Sequence, residues 1–218
     1  MPLINEEFNF TREQQELVSQ KLADDSFLHT DWGNDDLQDV RSSLRRFYRS
    51  KQIGKCAFCF NEVSFVSAAN AQVEHIAPKS LHRQFIFEPK NLCVICADCN
   101  TIKRDQEVLN EMPETINNPN ARVRYPRASS AFKIVHPHFD NYQTHIIKRG
   151  KVYVDRTPKG QFTISACKLN RFFHQFGFEE DFVDDEILIV LMTSFIASGT
   201  THERKIVLDA LKDLMILM

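Results

Sequence analysis

Leu37, Val40, Leu44, Phe47 and Tyr48 recur at three- and four-residue intervals, the spacing of one face of an α-helix, and predict a helix from about 35 to 52 that Gly54 terminates. Its polar side carries Arg41, Arg45 and Arg49 one turn apart. Upstream, residues 11 to about 28 read as another helix: Thr11 is the cap, Gln14 or Gln15 the reciprocal group, and Leu17, Leu22 and Leu28 recur loosely. Asp31-Trp32-Gly33-Asn34 is the turn between the two.

Beyond Gly54 the helical period disappears. A weak strand is predicted at 63–66 and a second at 72–76, broken by Pro78; Pro89-Lys90-Asn91 is a loop, 92–95 a short apolar strand, and 100 to about 109 a polar helix. Strand, strand and helix make a ββα unit. Residues 112–126, with Pro113, Pro119 and Pro126, read as an irregular connection wrapped around that unit. Strands are predicted at 132–135 and 145–147, and 152–154 is expected to pair with 162–164 across a turn of Pro158, Lys159 and Gly160. The tail reads as helical: an aromatic-rich stretch at 169–178, an apolar helix at 184–198 stopped by Gly199, and an amphipathic helix from 201 carrying Ile206, Leu208, Leu211, Leu214 and Leu217. The fold class is therefore α+β, in three parts: N-terminal helices (1–55), the ββα core (56–110) and a C-terminal wrapping region (111–218).

Composition changes this picture little. Hydrophobic residues make up 43% and charged residues 26%, as in an ordinary globular chain. A net charge of −2 excludes a protein that binds nucleic acid by overall charge. The distribution is more telling. Arg41, Arg45, Arg46, Arg49, Lys51 and Lys55 follow one another with no acidic residue between, whereas Glu179, Glu180, Asp181, Asp184, Asp185 and Glu186 collect the opposite sign. The N-terminus lacks the basic and apolar regions of a signal peptide, and no apolar run is long enough to span a bilayer. A cytoplasmic location with reduced thiols is expected.

The six cysteines carry the strongest chemical signal. Cys56/Cys59 and Cys96/Cys99 form two Cys-x-x-Cys knuckles, the spacing that brings four thiolates onto one tetrahedral, closed and therefore structural zinc. Cys96→Ser is then expected to collapse the fold. Cys93 and Cys167 lack such spacing and read as buried, inert thiols. Between the knuckles, Glu74-His75 is followed by Ile76-Ala77-Pro78, with Asn91 and Asn100 downstream. Carboxylate and amide oxygens hold a hard cation such as magnesium, leaving most of its sphere to water and phosphate, and the imidazole is a general base. Neighbours in a strand point to opposite faces, so Glu74 and His75 share a site only where the strand ends. His75→Ala is expected to leave stability near wild type. His136, His138 and His145 read as structural or peripheral.

Cys56-x-x-Cys59, Glu74-His75-Ile76-x-Pro78, Asn91-Leu92 and Cys96-x-x-Cys99-Asn100-x-x-Lys103 together resemble the HNH endonuclease family in its zinc-stapled form, across about a quarter of the chain. The resemblance implies a ββα-metal finger in which His75 deprotonates the attacking water. Glu74 and Asn100 would hold one catalytic Mg2+ or Mn2+, and Asn91 would orient His75 or brace its loop. Glu74 stands where the family usually has aspartate, and Asn100 replaces the histidine that names it. Arg41, Arg45, Arg49, Lys103 and Arg104 are the expected contacts to a DNA backbone. Residues 138–171 are similar, more loosely, to HNH proteins of Septu- and retron-type anti-phage systems. That likeness implies an ATPase partner docked on the acidic, aromatic C-terminal region; from the apolar runs, no membrane partner is expected. Two other functions stay open on the residues alone: a zinc-stapled nucleic-acid-binding or adaptor module that does not cleave, and a nuclease acting on RNA or tRNA.

Overall fold

The structure is a computed structural model that describes residues 2–119, 123–176 and 186–217. It mixes helices with two small antiparallel sheets. The N-terminal part holds α1 (Arg12–Ala23) and α2 (Gln38–Lys51). Thr11 and Gln14 close the expected capping box on α1, which ends at Ala23, short of the predicted 28. Asp35–Leu37 is a 3-10 turn that leads into α2, whose Val40, Leu44 and Tyr48 are buried at intervals of four residues. This apolar stripe lies on the central strands. Gly54 takes the left-handed φ of 65° that stops the chain from continuing as helix.

Those strands are β1 (Gln72–His75) and β2 (Leu92–Ile95), antiparallel with Gln72 opposite Ile95 and His75 opposite Leu92. Helix α3 (Ala97–Val108) follows directly, so strand, strand and helix stand in the predicted order. All four residues of β2 are buried, which leaves its outer edge in need of partners. The buried Gln52 amide supplies them: it accepts from Val94 N at 2.7 Å and donates to Val94 O at 2.8 Å. Ala57 N also donates to Val94 O, and His138 Nε2 to Leu92 O, along the same edge. The predicted strand at 63–66 is absent, and only a Lys55–Glu62 bridge forms nearby.

In the described part of the connection after α3, Thr115 Oγ1 donates to Ile76 O at 2.9 Å and Tyr125 lies edge-on to Phe85. Further on, Phe132 makes a single bridge with Ile116 in place of the predicted strand. Helical residues Tyr142–His145 form α4, followed by β3 (Ile146–Arg149) and β4 (Val152–Asp155). This corrects the predicted pairing of 152–154 with 162–164. The hairpin closes through Gly150-Lys151 with Gly150 at φ 51°, the glycine-first order of a II′ turn. Residues 162–164 lie instead in α5 (Pro158–Ala166). Thr157 caps that helix by accepting from Gly160 N, and Pro158 occupies the first turn; together they start a helix, which outweighs the strand-forming character of Phe162-Thr163-Ile164. Gly160 is also required by space, since a Cβ there would stand 1.9 Å from His145 O.

The C-terminal region comprises α6 (Arg171–Phe176), α7 (Glu186–Ala197) and α8 (Thr201–Leu217). Helix α8 packs on α7 and on the β3–β4 hairpin, with Lys212 Nζ 3.0 Å from Asp155. Much of the acidic run predicted as a docking surface, Glu179 to Asp185 in sequence, lies outside the described residues. No described helix is long and apolar enough to cross a membrane.

Candidate functional site

The two knuckles meet at the base of β1, β2 and α3. Phe60 N donates to Cys56 O at 3.0 Å, and Phe60 itself adopts φ 56°, folding the first knuckle back on itself; Ala57 N then ties it to Val94 O in β2. Cys96 lies at the N-cap of α3 and Cys99 in its first turn. The result is that one sulfur from each of Cys56, Cys59, Cys96 and Cys99 lies within 4.8 Å of every other, all buried. Burial pushes the Cys56 thiol well above its ordinary value. Four sulfur donors converging in one buried cluster could hold a zinc ion. Cys93 and Cys167 are buried elsewhere, and burial raises the Cys167 thiol to about 12.

The C-terminal region clamps this end. Tyr142 and Tyr153 hydroxyls donate to Phe58 O and Cys59 O, and Arg171 Nη2 comes within 3.9 Å of Cys99 Sγ and 3.3 Å of Asp98. A cation there would offset the charge of thiolates holding a metal. No local pattern near Arg171 announced this role, since the contact spans 72 residues of sequence.

At the opposite end of β1 the strand stops at His75, and the chain turns as Ile76 N donates to Asn91 O at 2.8 Å. Burial alternates along β1, with Val73 and His75 inward and Gln72 and Glu74 partly exposed. Both Glu74 and His75 line one cleft of about 320 Å³, shared with Asn100 and with Trp32, Arg41, Arg45, Lys79 and Arg104. Glu74, His75 and Asn100 are therefore brought together.

His75 is 2% exposed. Its Nε2 lies 3.0 Å from Ile86 O, and a carbonyl only accepts, so Nε2 carries the proton and Nδ1 the lone pair. Burial, aided by Lys79, lowers its pKa to about 3 and keeps the ring neutral. Trp32 packs edge-on against the imidazole at 4.7 Å between centroids and fixes its plane. Trp32 is the chain's only tryptophan, yet the sequence marked it only as part of a turn.

Asn91 is fully buried and does not bond His75. Its amide closes the intervening loop instead, accepting from Ala77 N at 2.6 Å and donating to Ala77 O and Phe85 O at 3.1 and 2.9 Å. That loop includes Ile86, whose carbonyl fixes His75, so Asn91 acts on the imidazole through the backbone. Asn100 is half-buried on α3, and among the described residues nothing hydrogen-bonds its side-chain amide.

The cations divide by their partners. Lys103 is buried, donates to His75 O at 3.1 Å and forms an ion pair with Glu74 at 2.6 Å. Burial opposes its charge, but Glu74 beside it carries the balance and raises its pKa above the ordinary lysine value. Arg41 donates to Trp32 O and Asn34 O, Arg45 to Ala71 O at 2.8 Å, and Arg49 to Ser64 O at 3.0 Å. Each of these arginines thus braces a carbonyl of the finger or its approach, and Arg41 and Arg45 also line the cleft whereas Arg49 does not. Arg104 is exposed at the cleft rim. With Lys79 and Lys103 the lining carries five cations against Glu74 and Glu107, in a chain whose net charge is −2.

His136, His138 and His145 make structural contacts. His138 Nε2 donates to Leu92 O at 2.9 Å, and burial lowers its pKa to about 4. His136 is fully buried with its Nε2 2.8 Å from the Tyr125 hydroxyl, and His145 bonds Thr157. Compared with protein-family models, curated proteins and solved structures, the chain matches none.

Proposed function

We propose that the protein is a metal-dependent endonuclease of the HNH type that hydrolyses phosphodiester bonds of DNA. The observation that carries this reading is the neutral His75 on the cleft wall, with Nε2 tied to Ile86 O and Nδ1 left as the basic nitrogen beside Glu74 and Asn100. A carboxylate and an amide oxygen with no hydrogen-bond partner among the described residues suit a hard cation that keeps its waters, such as Mg2+ or Mn2+. Such an ion, when bound, would offset charge developing on the phosphate and the leaving oxygen. The protein's own part is positioning: Ile86 O and Trp32 hold the ring, Nδ1 takes a proton from water placed in line with the scissile bond, and Arg41, Arg45 and Arg104 face the phosphates.

Zinc-loaded protein incubated with supercoiled plasmid and magnesium or manganese should nick it, and the His75→Ala variant should not. Equal nicking by both would overturn the proposal. Running labelled duplex DNA, single strands and tRNA in parallel identifies the substrate, because the cleft's cations address a backbone common to all three. The anti-phage role and the ATPase partner rest on the resemblance alone; among the described residues, Val190, Met192 and Ile196 of α7 are exposed. One observation favours the non-cleaving adaptor: Lys103 already holds the Glu74 carboxylate that the metal requires.

A further inference from the structure

Helix α3 turns one face inward, and the residues buried on it are Cys99, Lys103 and Gln106, spaced by four and three. The zinc ligand Cys99 fixes the rotation of this face, which drives Lys103 one turn later into the cleft. Its ammonium lies 2.6 Å from Glu74 Oε1, 3.1 Å from His75 O and 5.1 Å from the centre of the Phe58 ring. The two side chains are only 6% and 15% exposed. Unlike the surface pairs of Lys51 with Glu6 or Lys55 with Glu62, neither partner can turn out to water without reorganising the site.

We infer that Lys103 is a resident counter-cation: it holds Glu74 in the metal-free protein, is displaced from the carboxylate when a divalent cation binds, and so sets the metal affinity of the cleft. The inference rests on the nuclease reading for Glu74 as a ligand. An ammonium and a dication on one carboxylate would stand a few ångströms apart, where screening by water is poor and repulsion strong. Binding must therefore include exchange of one cation for the other, and the apparent affinity is reduced by the stability of the pair being broken. Glu74 suits this exchange, because its side chain has one methylene more than aspartate with which to turn from Lys103 toward Asn100. The pair also accounts for a folded site in the absence of metal, since Glu74 is never left buried and alone.

The test measures Mn2+ binding to zinc-loaded wild type, Lys103→Met and Glu74→Gln by calorimetry and by the loss of free Mn2+ signal in electron paramagnetic resonance. Lys103→Met should bind Mn2+ about tenfold or more tightly than wild type, and Glu74→Gln should lose binding. Unchanged or weaker binding by Lys103→Met would mean that the ammonium and the metal share Glu74, which overturns the inference. A wild-type readout covers the case in which the variant misfolds. In the 15N-labelled protein the Lys103 ammonium should show slow exchange without metal and lose that protection on saturation with Mg2+. Protection retained at saturation would equally refute the exchange. If wild type nicks plasmid while Lys103→Met binds Mn2+ no more tightly, only this inference fails; if wild type neither binds Mn2+ nor nicks, the nuclease reading fails with it.

Discussion

The two ends of the β1–β2–α3 unit differ in almost every physical respect, though α3 contributes to both. At the knuckle end the donors are four sulfurs, all buried, closing on one another without a gap. At the cleft end they are oxygens and an imidazole along an open wall, with Glu74 paired to Lys103 at 2.6 Å. A closed soft-donor site can only hold shape, whereas an open hard-donor site admits water and phosphate. Cys99 of the sulfur cluster and Asn100 of the cleft lining are neighbours on α3, which thereby contributes to both ends.

The comparison breaks first, and most visibly, at the knuckles. Cys96→Ser should abolish the cooperative thermal transition and leave less than one zinc per chain, because a structural zinc contributes on the order of 10 kcal/mol to folding. Retention of a normal melt by circular dichroism would show that the sulfur cluster is incidental. At the cleft end, His75→Ala should slow nicking by roughly 10²–10⁴-fold at saturating metal while zinc content stays unchanged. It also revises the expectation of unaltered stability: an imidazole 2% exposed and packed on Trp32 leaves a void and an unpaired Ile86 carbonyl, for a loss of about 1–3 kcal/mol.

Asn91→Ala lies between the two ends. Losing three hydrogen bonds to Ala77 and Phe85 from a fully buried amide should cost about 2–4 kcal/mol in urea unfolding and slow nicking through the displaced His75. An Asn91→Ala protein as stable and as fast as wild type would separate the loop from the base. The smallest effect belongs to the rim. Arg104→Ala should leave stability within about 0.5 kcal/mol and weaken duplex binding, with the slope of log affinity against log salt falling by about 1. An unchanged slope would place the substrate elsewhere.

The same contrast explains what the sequence disclosed. The knuckles, the β1–β2–α3 order and the Thr11 capping box depend on spacings of a few residues, so they are legible from the order of the residues alone. The partners of the arginines are not. Arg45 finds Ala71 O and Arg41 finds Trp32 O across turns that the pattern of side chains does not encode. Trp32 on His75 and Arg171 at Cys99 are long-range for the same reason. Lys103 is different, because its inward direction follows from lying four residues after a zinc ligand on one helix, a signal present in the sequence. Helix α5 defies its local pattern because Phe162-Thr163-Ile164 favours a strand, while Thr157 and Pro158 specify the helix start that prevails.

The central claim is that one finger carries two metal sites of opposite character. Its most direct test is the metal inventory of the pure protein after dialysis against a mild chelator and then against Mn2+, for wild type and Glu74→Gln. The account requires one zinc per chain that survives the chelator in both proteins, and one exchangeable manganese in wild type that Glu74→Gln lacks. Absence of tightly held zinc, or manganese bound equally by both, would contradict it.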